Sequence, residues 1–269
     1  MKPLAVTFIT VALLASPLVA ADRLSDKDVK VLVDRIDEGR SRFKDALDDK
    51  IKKEVLRGPS GEVDVDKFLD DFKDNIERLR DRIKPEYAAS AEAQAVLRQA
   101  SQIDNFFHRQ PAGTKGESEW NRLAGDLKTL ATAYSAPFPL PENAPVRRLG
   151  DREVATALET FSKSTGGLKK TLDDELKRDA TVDKTTRESL LNAVDELSKD
   201  AKTLRSRITD GKPGSAEAEA LLSHATRFET TLKGRQAAGA NSAWTGLAKH
   251  LQTVATAFGL SWPSGRPAH

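Results

Sequence analysis

Few side chains in this sequence have the types and spacing that chemistry needs, and those that do come in pairs. His224 and His250 stand equally far from residue 237, in the turn between two helical stretches. That symmetry sets them at similar height on antiparallel neighbours, where two imidazoles could hold zinc, copper or a haem. They are the candidate metal residues. Both fall to the side of their helices' apolar stripes, however, and the matching positions in an earlier repeat are Gln99 and Asp126. There is no Glu-x-x-His of the di-iron kind, no His-x-x-x-His and no His-Glu-x-x-His. No cofactor is expected.

The candidate ligand-binding residues are arginines and tryptophans. Arg80 and Arg82, and again Arg205 and Arg207, occupy a shared Leu-Arg-x-Arg-Ile pattern. Two guanidinium groups near a helix end could grip a carboxylate or phosphate. The plainer reading is that they complement the helix dipole and bond the free carbonyls of the last turn. Trp120 and Trp244 start the fourth helical stretch of each repeat, either as core anchors with an N–H seeking a partner or as the wall of a pocket. Asp48-Asp49 recurs as Asp173-Asp174. Adjacent residues on a helix point about 100° apart, so these carboxylates do not face each other as an acid–base pair. They read as solvated groups beside Lys52 and Lys53.

Absent residue types exclude more chemistry. The chain has no cysteine and a single methionine, Met1, which removes disulfides, thiol nucleophiles and iron–sulfur ligation. No Gly-rich phosphate loop and no Gly-x-Ser-x-Gly follows a strand pattern. No nucleophile–base constellation can be assembled, so the reading is non-enzymatic.

The elements that must position these residues follow from an internal repeat. Residues 120–134, WNRLAGDLKTLATAY, return as residues 244–258, WTGLAKHLQTVATAF, at an offset of 124. Earlier in the chain the offset is 125. Arg23-Leu24-Ser25-Asp26 matches Arg148-Leu149-Gly150-Asp151, Phe43 matches Leu168, Leu79 matches Leu204, and Ser90-Ala91-Glu92-Ala93 returns verbatim at residues 215–218. Apolar residues recur at three-to-four spacing in four stretches per repeat. Ser25 or Asp26 should cap the first, Gly58-Pro59-Ser60-Gly61 should stop it, Lys84-Pro85 should end the second, and Ser90 should cap the third. Short connections favour antiparallel neighbours. The expected fold is all-α: two tandem duplicated up-down-up-down four-helix bundles, residues 22–136 and 148–263, joined by a Pro-rich linker at 137–147 and followed by a tail at 264–269. Gly166-Gly167 should mark a kink or a close helix contact within the second repeat.

Residues 1–21 carry one lysine, an apolar run and small residues up to Ala21, the pattern of a secretory signal peptide cleaved after about Ala21. The expected location is the periplasm or the medium. A net charge of +2 over 269 residues makes no electrostatic case for nucleic acid. Polar faces that mix acids with bases, such as Lys44, Asp45, Asp48, Asp49 and Lys50, argue against an anionic membrane surface. The expected function is an exported, non-enzymatic interaction or scaffold module of the bacterial envelope, with another envelope protein as partner. The alternative is a periplasmic binder of a small ligand or metal. It would use the His224–His250 seam or the arginine-bearing ends of the second helices.

Overall fold

A computed structural model of the chain describes residues 23–58 and 61–262. The signal segment 1–21, Pro59 and Ser60 of the expected stop, and the tail 264–269 with His269 lie outside the described residues.

The first helix, α1 (Asp26–Ala46), starts at a reciprocal cap. Ser25 Oγ accepts the Asp28 N–H at 3.1 Å, while the Asp28 carboxylate accepts the Ser25 N–H at 3.2 Å, so two groups a helix start leaves free are both satisfied. The stripe Val29, Leu32, Ile36 and Phe43 is buried as expected. The helix does not continue to Gly58, however. It ends at Ala46, and the Asp48 carboxylate accepts the Ile51 N–H at 3.0 Å to start a new turn, α2 (Asp49–Lys52). A short aspartate side chain that competes for backbone N–H groups breaks a helix in this way. Asp48 is thus a cap rather than a solvated partner of Lys52 and Lys53. Two strands follow, β1 (Val55–Gly58) and β2 (Gly61–Asp64), paired antiparallel with Leu56 opposite Val63. Leu56 is buried in the core. This hairpin is the departure from a wholly helical chain among the described residues.

The remaining elements are helical: α3 (Val65–Arg82), α4 (Ser90–Phe107), α5 (Glu117–Ala133), α6 (Asp151–Arg178), α7 (Lys184–Thr209), α8 (Ser215–Lys233) and α9 (Ala238–Phe258). Ser90 does not cap α4. Ala89, at φ 54°, takes the capping position without a side-chain bond, and the Ser90 hydroxyl instead accepts the N–H of Arg148 at 3.2 Å. Helix α6 runs unbroken through Gly166 and Gly167, and a Cβ at either would meet nothing within 4 Å. The close contact expected there is not made.

Helix α1 packs on α3 and α5, and α4 packs on α3 and α5, so these four close a ring; α6, α7, α8 and α9 do the same in the same order. Each ring encloses its own apolar core. One core gathers Val29 through Leu140, the other Leu149 through Trp262. The Pro-rich stretch lies against the first core. Leu140 is buried, its N–H donates to Ser101 Oγ at 2.7 Å, and the Arg147 N–H donates to the Tyr134 carbonyl at 2.9 Å. Its apolar residues and the free N–H groups both find partners there, which a solvated spacer would not offer. No helix among the described residues is long and apolar enough to cross a membrane.

Candidate functional site

The arginine pairs sit at the ends of α3 and α7 and reach sideways to neighbouring helices. Arg80 lies 3.7 Å from Asp34 on α1, and its counterpart Arg205 lies 3.0 Å from Glu159 on α6. Arg82 lies 3.8 Å from Glu92 on α4, and its counterpart Arg207 lies 3.0 Å from Glu217 on α8. Asp34 and Glu159, and Glu92 and Glu217, are themselves 125 positions apart. Each Arg-x-Arg therefore ties the second helix of its ring to the first and to the third. Arg207 also donates to the Pro213 carbonyl at 2.5 Å, in the turn that follows α7 and not in the last turn of the helix itself. Exposed ion pairs of this kind add little to stability, so their shared feature is the direction in which they run, from helix to helix.

Both tryptophans are core residues. Trp120 is packed against Phe43 and Phe107, and Trp244 against Phe161 and Phe228, with ring centroids 4.8–6.4 Å apart. Trp120 Nε1 donates to the buried Asp104 carboxylate at 2.9 Å. Trp244 Nε1 is buried without a hydrogen-bond partner among the described residues. Glu229 holds the place of Asp104 in the second ring and pairs with Lys233, as Asp104 meets the equivalent His108 at 3.4 Å, but it makes no bond to Trp244.

His224 faces α7, not α9. Its Nδ1 lies 2.6 Å from Asp200 Oδ2, and the imidazole borders an open groove of about 490 Å³ between α7 and α8, with Thr186, Ser189, Glu196, Arg227 and Phe228 along it. In the first ring the same place holds a neutral pair, Asn75 donating to Gln99 at 2.5 Å. His250 stands half-buried on α9, while Asp126, its counterpart, binds Arg35 at 2.7 Å. Among the described residues no three His, Cys, Asp or Glu side chains gather to hold a metal ion.

The partners Asp34, Glu92, Glu159, Glu217 and Asp200 were not singled out from the sequence. The signal that finds four of them is the repeat itself, because an acid recurs 125 residues on wherever an arginine of the Arg-x-Arg pair does. A further set was missed outright. Arg23, Asp26, Arg148 and Asp151 converge where the two rings meet, with Arg23 at 2.5 Å from Asp151 and Arg148 at 2.6 Å from Asp26. Burial, then the charge of Arg148, pull the Arg23 guanidinium below its ordinary pKa, with Asp151 and Asp26 opposing. Burial raises the Tyr134 hydroxyl well above the ordinary tyrosine range, and that hydroxyl donates to the Ala88 carbonyl at 2.7 Å.

With this geometry in hand, comparison with protein-family models, with curated proteins and with solved structures finds no match to the chain.

Proposed function

We propose that the chain is an exported, non-enzymatic interaction or scaffold module of the bacterial envelope, built from two tandem duplicated up-down-up-down four-helix bundles. The observation that carries this reading is that the polar pairs shared by both halves run from helix to helix: Arg80–Asp34 with Arg205–Glu159, and Arg82–Glu92 with Arg207–Glu217. The arginines that could have gripped a ligand brace the two rings, and the tryptophans anchor their cores. What is left to meet a partner is a broad helical surface of mixed charge. Residues 1–21 support export by their sequence pattern, and the near-neutral net charge of +2 favours a protein partner over nucleic acid.

The test is envelope fractionation followed by N-terminal sequencing and in-cell photo-crosslinking from exposed helix positions such as Val31. The reading expects a mature chain beginning at Asp22 in the periplasmic fraction, and a discrete protein adduct lost on charge reversal of the same helix face. A chain retaining Met1 in the cytoplasmic fraction would overturn the export half. Adducts independent of position would overturn the interaction half.

One observation favours a second reading, that of a small-ligand binder. The Asp200–His224 pair opens onto the α7–α8 groove, where Arg227 supplies a cation and Phe228 an apolar wall. A bound mass present in the wild-type protein, lost in His224→Ala and kept in Arg205→Ala, would select it.

A further inference from the structure

Arg23-Leu24-Ser25-Asp26 and Arg148-Leu149-Gly150-Asp151 open the two halves at an offset of 125, and the structure sets them against each other reciprocally. The Asp151 carboxylate accepts the backbone N–H of Asp26 at 2.8 Å, and the Asp26 carboxylate accepts the N–H of Asp151 at 3.0 Å. Arg23 donates to Asp151 at 2.5 Å and to the Leu149 carbonyl at 2.6 Å. Arg148 donates to Asp26 at 2.6 Å and to the Leu24 carbonyl at 3.0 Å. Each of these bonds is repeated by the equivalent residues of the other half with the roles exchanged, whereas the Arg152–Glu86 pair that also joins the halves has Lys27 and Gly211 at the equivalent places.

The exchange extends beyond these four residues. Arg23 lies over the ring of Phe258 at 5.8 Å and beside the turn at 211–214 in the second half. In return Gly150 sits against Pro85 and Ala88, and the Arg148 N–H is held by Ser90, all in the first half. The opening of each half is thus seated on the turn between the second and third helices of the other. The side chains of Arg23 and Arg148 are 8% and 3% exposed, so these charges are compensated across the junction and hardly at all by water. Two helix N-termini meet here, and each aspartate completes the first turn of the opposite helix.

An interface in which residue i meets j while j meets i is isologous, and an isologous surface is complementary to itself. The arginine that opens a half meets the aspartate three residues further along the opposite half, whichever half supplies each. We propose that each half of this chain carries a self-complementary docking surface, and that its partner beyond the chain is the corresponding half of a second copy. Linkage within one polypeptide keeps the junction closed on itself, because the tether holds the two halves at an effective concentration on the order of millimolar. When the internal partner is withheld, two chains close their junctions against each other. This inference does not rest on the export or scaffold reading.

Charge reversal in the full chain tests it. In Arg23→Glu with Asp26→Lys, the two halves of one chain face each other with like charges, while the unaltered second halves of two chains keep the whole reciprocal set through Arg148, Asp151 and the Leu149 carbonyl. Light scattering should then report twice the mass of the wild-type chain, and adding Arg148→Glu with Asp151→Lys should return it to the wild-type mass. A double variant that keeps its helical circular dichroism and the wild-type mass would overturn the proposal. So would a fourfold variant that stays doubled. If the double variant loses its helicity, the wild-type chain decides: two tagged forms unfolded together and refolded at rising concentration should give mixed-tag dimers in a fraction that grows with concentration. Single-tag monomers at every concentration would overturn the proposal.

Discussion

Asp104 and Glu229 hold equivalent places in the two halves and serve different partners. In the first half the shorter acid accepts the indole N–H of Trp120 at 2.9 Å. In the second the longer one turns to Lys233, and the N–H of Trp244 stays buried with no hydrogen-bond partner among the described residues. The opening helices differ as well. Helix α1 stops at Ala46 and gives way to α2 and a hairpin, whereas α6 continues for 28 residues. The continuing part of α6 carries Glu175, whose carboxylate receives the N–H groups of Gly239 and Ala240 at 2.8 and 2.9 Å. A Cβ at Gly239 would stand 2.7 Å from that carboxylate, so glycine is what lets the two approach. Lys50 occupies the corresponding place in the first half. An apolar skeleton shared almost position by position therefore tolerates quite different polar wiring. Burial of the stripes determines the helical rings, and polar groups adapt to whatever donors and acceptors remain free.

The comparison can be broken most forcefully at the indoles. Trp120→Ala and Trp244→Ala should each lower unfolding stability by about 3–5 kcal/mol, read from urea midpoints; a loss near zero at either would place that ring outside the core. Next comes the junction, where Asp151→Ala leaves the buried Arg23 without its paired carboxylate and frees the Asp26 N–H. The expected loss is about 3 kcal/mol, and an unchanged urea midpoint would show that the pair carries no stability. A finer cut separates the two tryptophans. Trp120→Phe leaves the buried Asp104 Oδ1 without its donor, at an additional cost of about 1 kcal/mol, whereas Trp244→Phe removes an N–H that has no partner among the described residues and avoids that cost. Equal losses in the two variants would erase the distinction. The smallest effect is a gain. Gly167→Ala, in an open helical position, should stabilise by about 0.4–1 kcal/mol, and a lower melting temperature would contradict the unbroken helix through that position.

Tyr134 adds a pH signature to the same comparison, because Phe258 takes its place in the second half. Folding raises its pKa, so its contribution is fully present below the ordinary tyrosine range and is lost as pH climbs from there toward the folded value. The decline in stability above about pH 10 should be shallower in Tyr134→Phe than in the wild-type chain. Parallel curves would contradict the burial of that hydroxyl.

Most of the helical layout was legible because it follows from one variable, the spacing of apolar residues. Val29, Leu32, Ile36 and Phe43 read directly as a buried stripe, and the cap as either Ser25 or Asp26, of which Ser25 takes the role. The hairpin was not, because Val55, Leu56 and Val63 are too few to show an alternating period, and Asp48 breaks the helix through a bond that spacing does not encode. The site was legible only in part. Arg80, Arg82, Arg205 and Arg207 were visible as a recurring pair, but their partners lie 46 to 10 residues away on other helices and become evident only when acids are traced through the repeat. His224 was set beside His250 by counting from a turn, yet the side on which a helix presents a flank residue depends on packing, and packing turned it to Asp200. The junction lay in plain view as Arg-Leu-x-Asp repeated at 23 and 148. A pair separated by 128 residues, such as Arg23 and Asp151, becomes readable only once the halves are seen to face each other.

The account's central claim is that the recurring polar residues brace helices instead of holding a ligand. Native mass spectrometry of the protein, purified from its host cells without chelators, is the decisive test. The account expects the bare mass of the polypeptide or of a simple multiple of it, unchanged by Arg82→Ala, Arg207→Ala or His224→Ala. A stoichiometric added mass that disappears with any of these substitutions would contradict it.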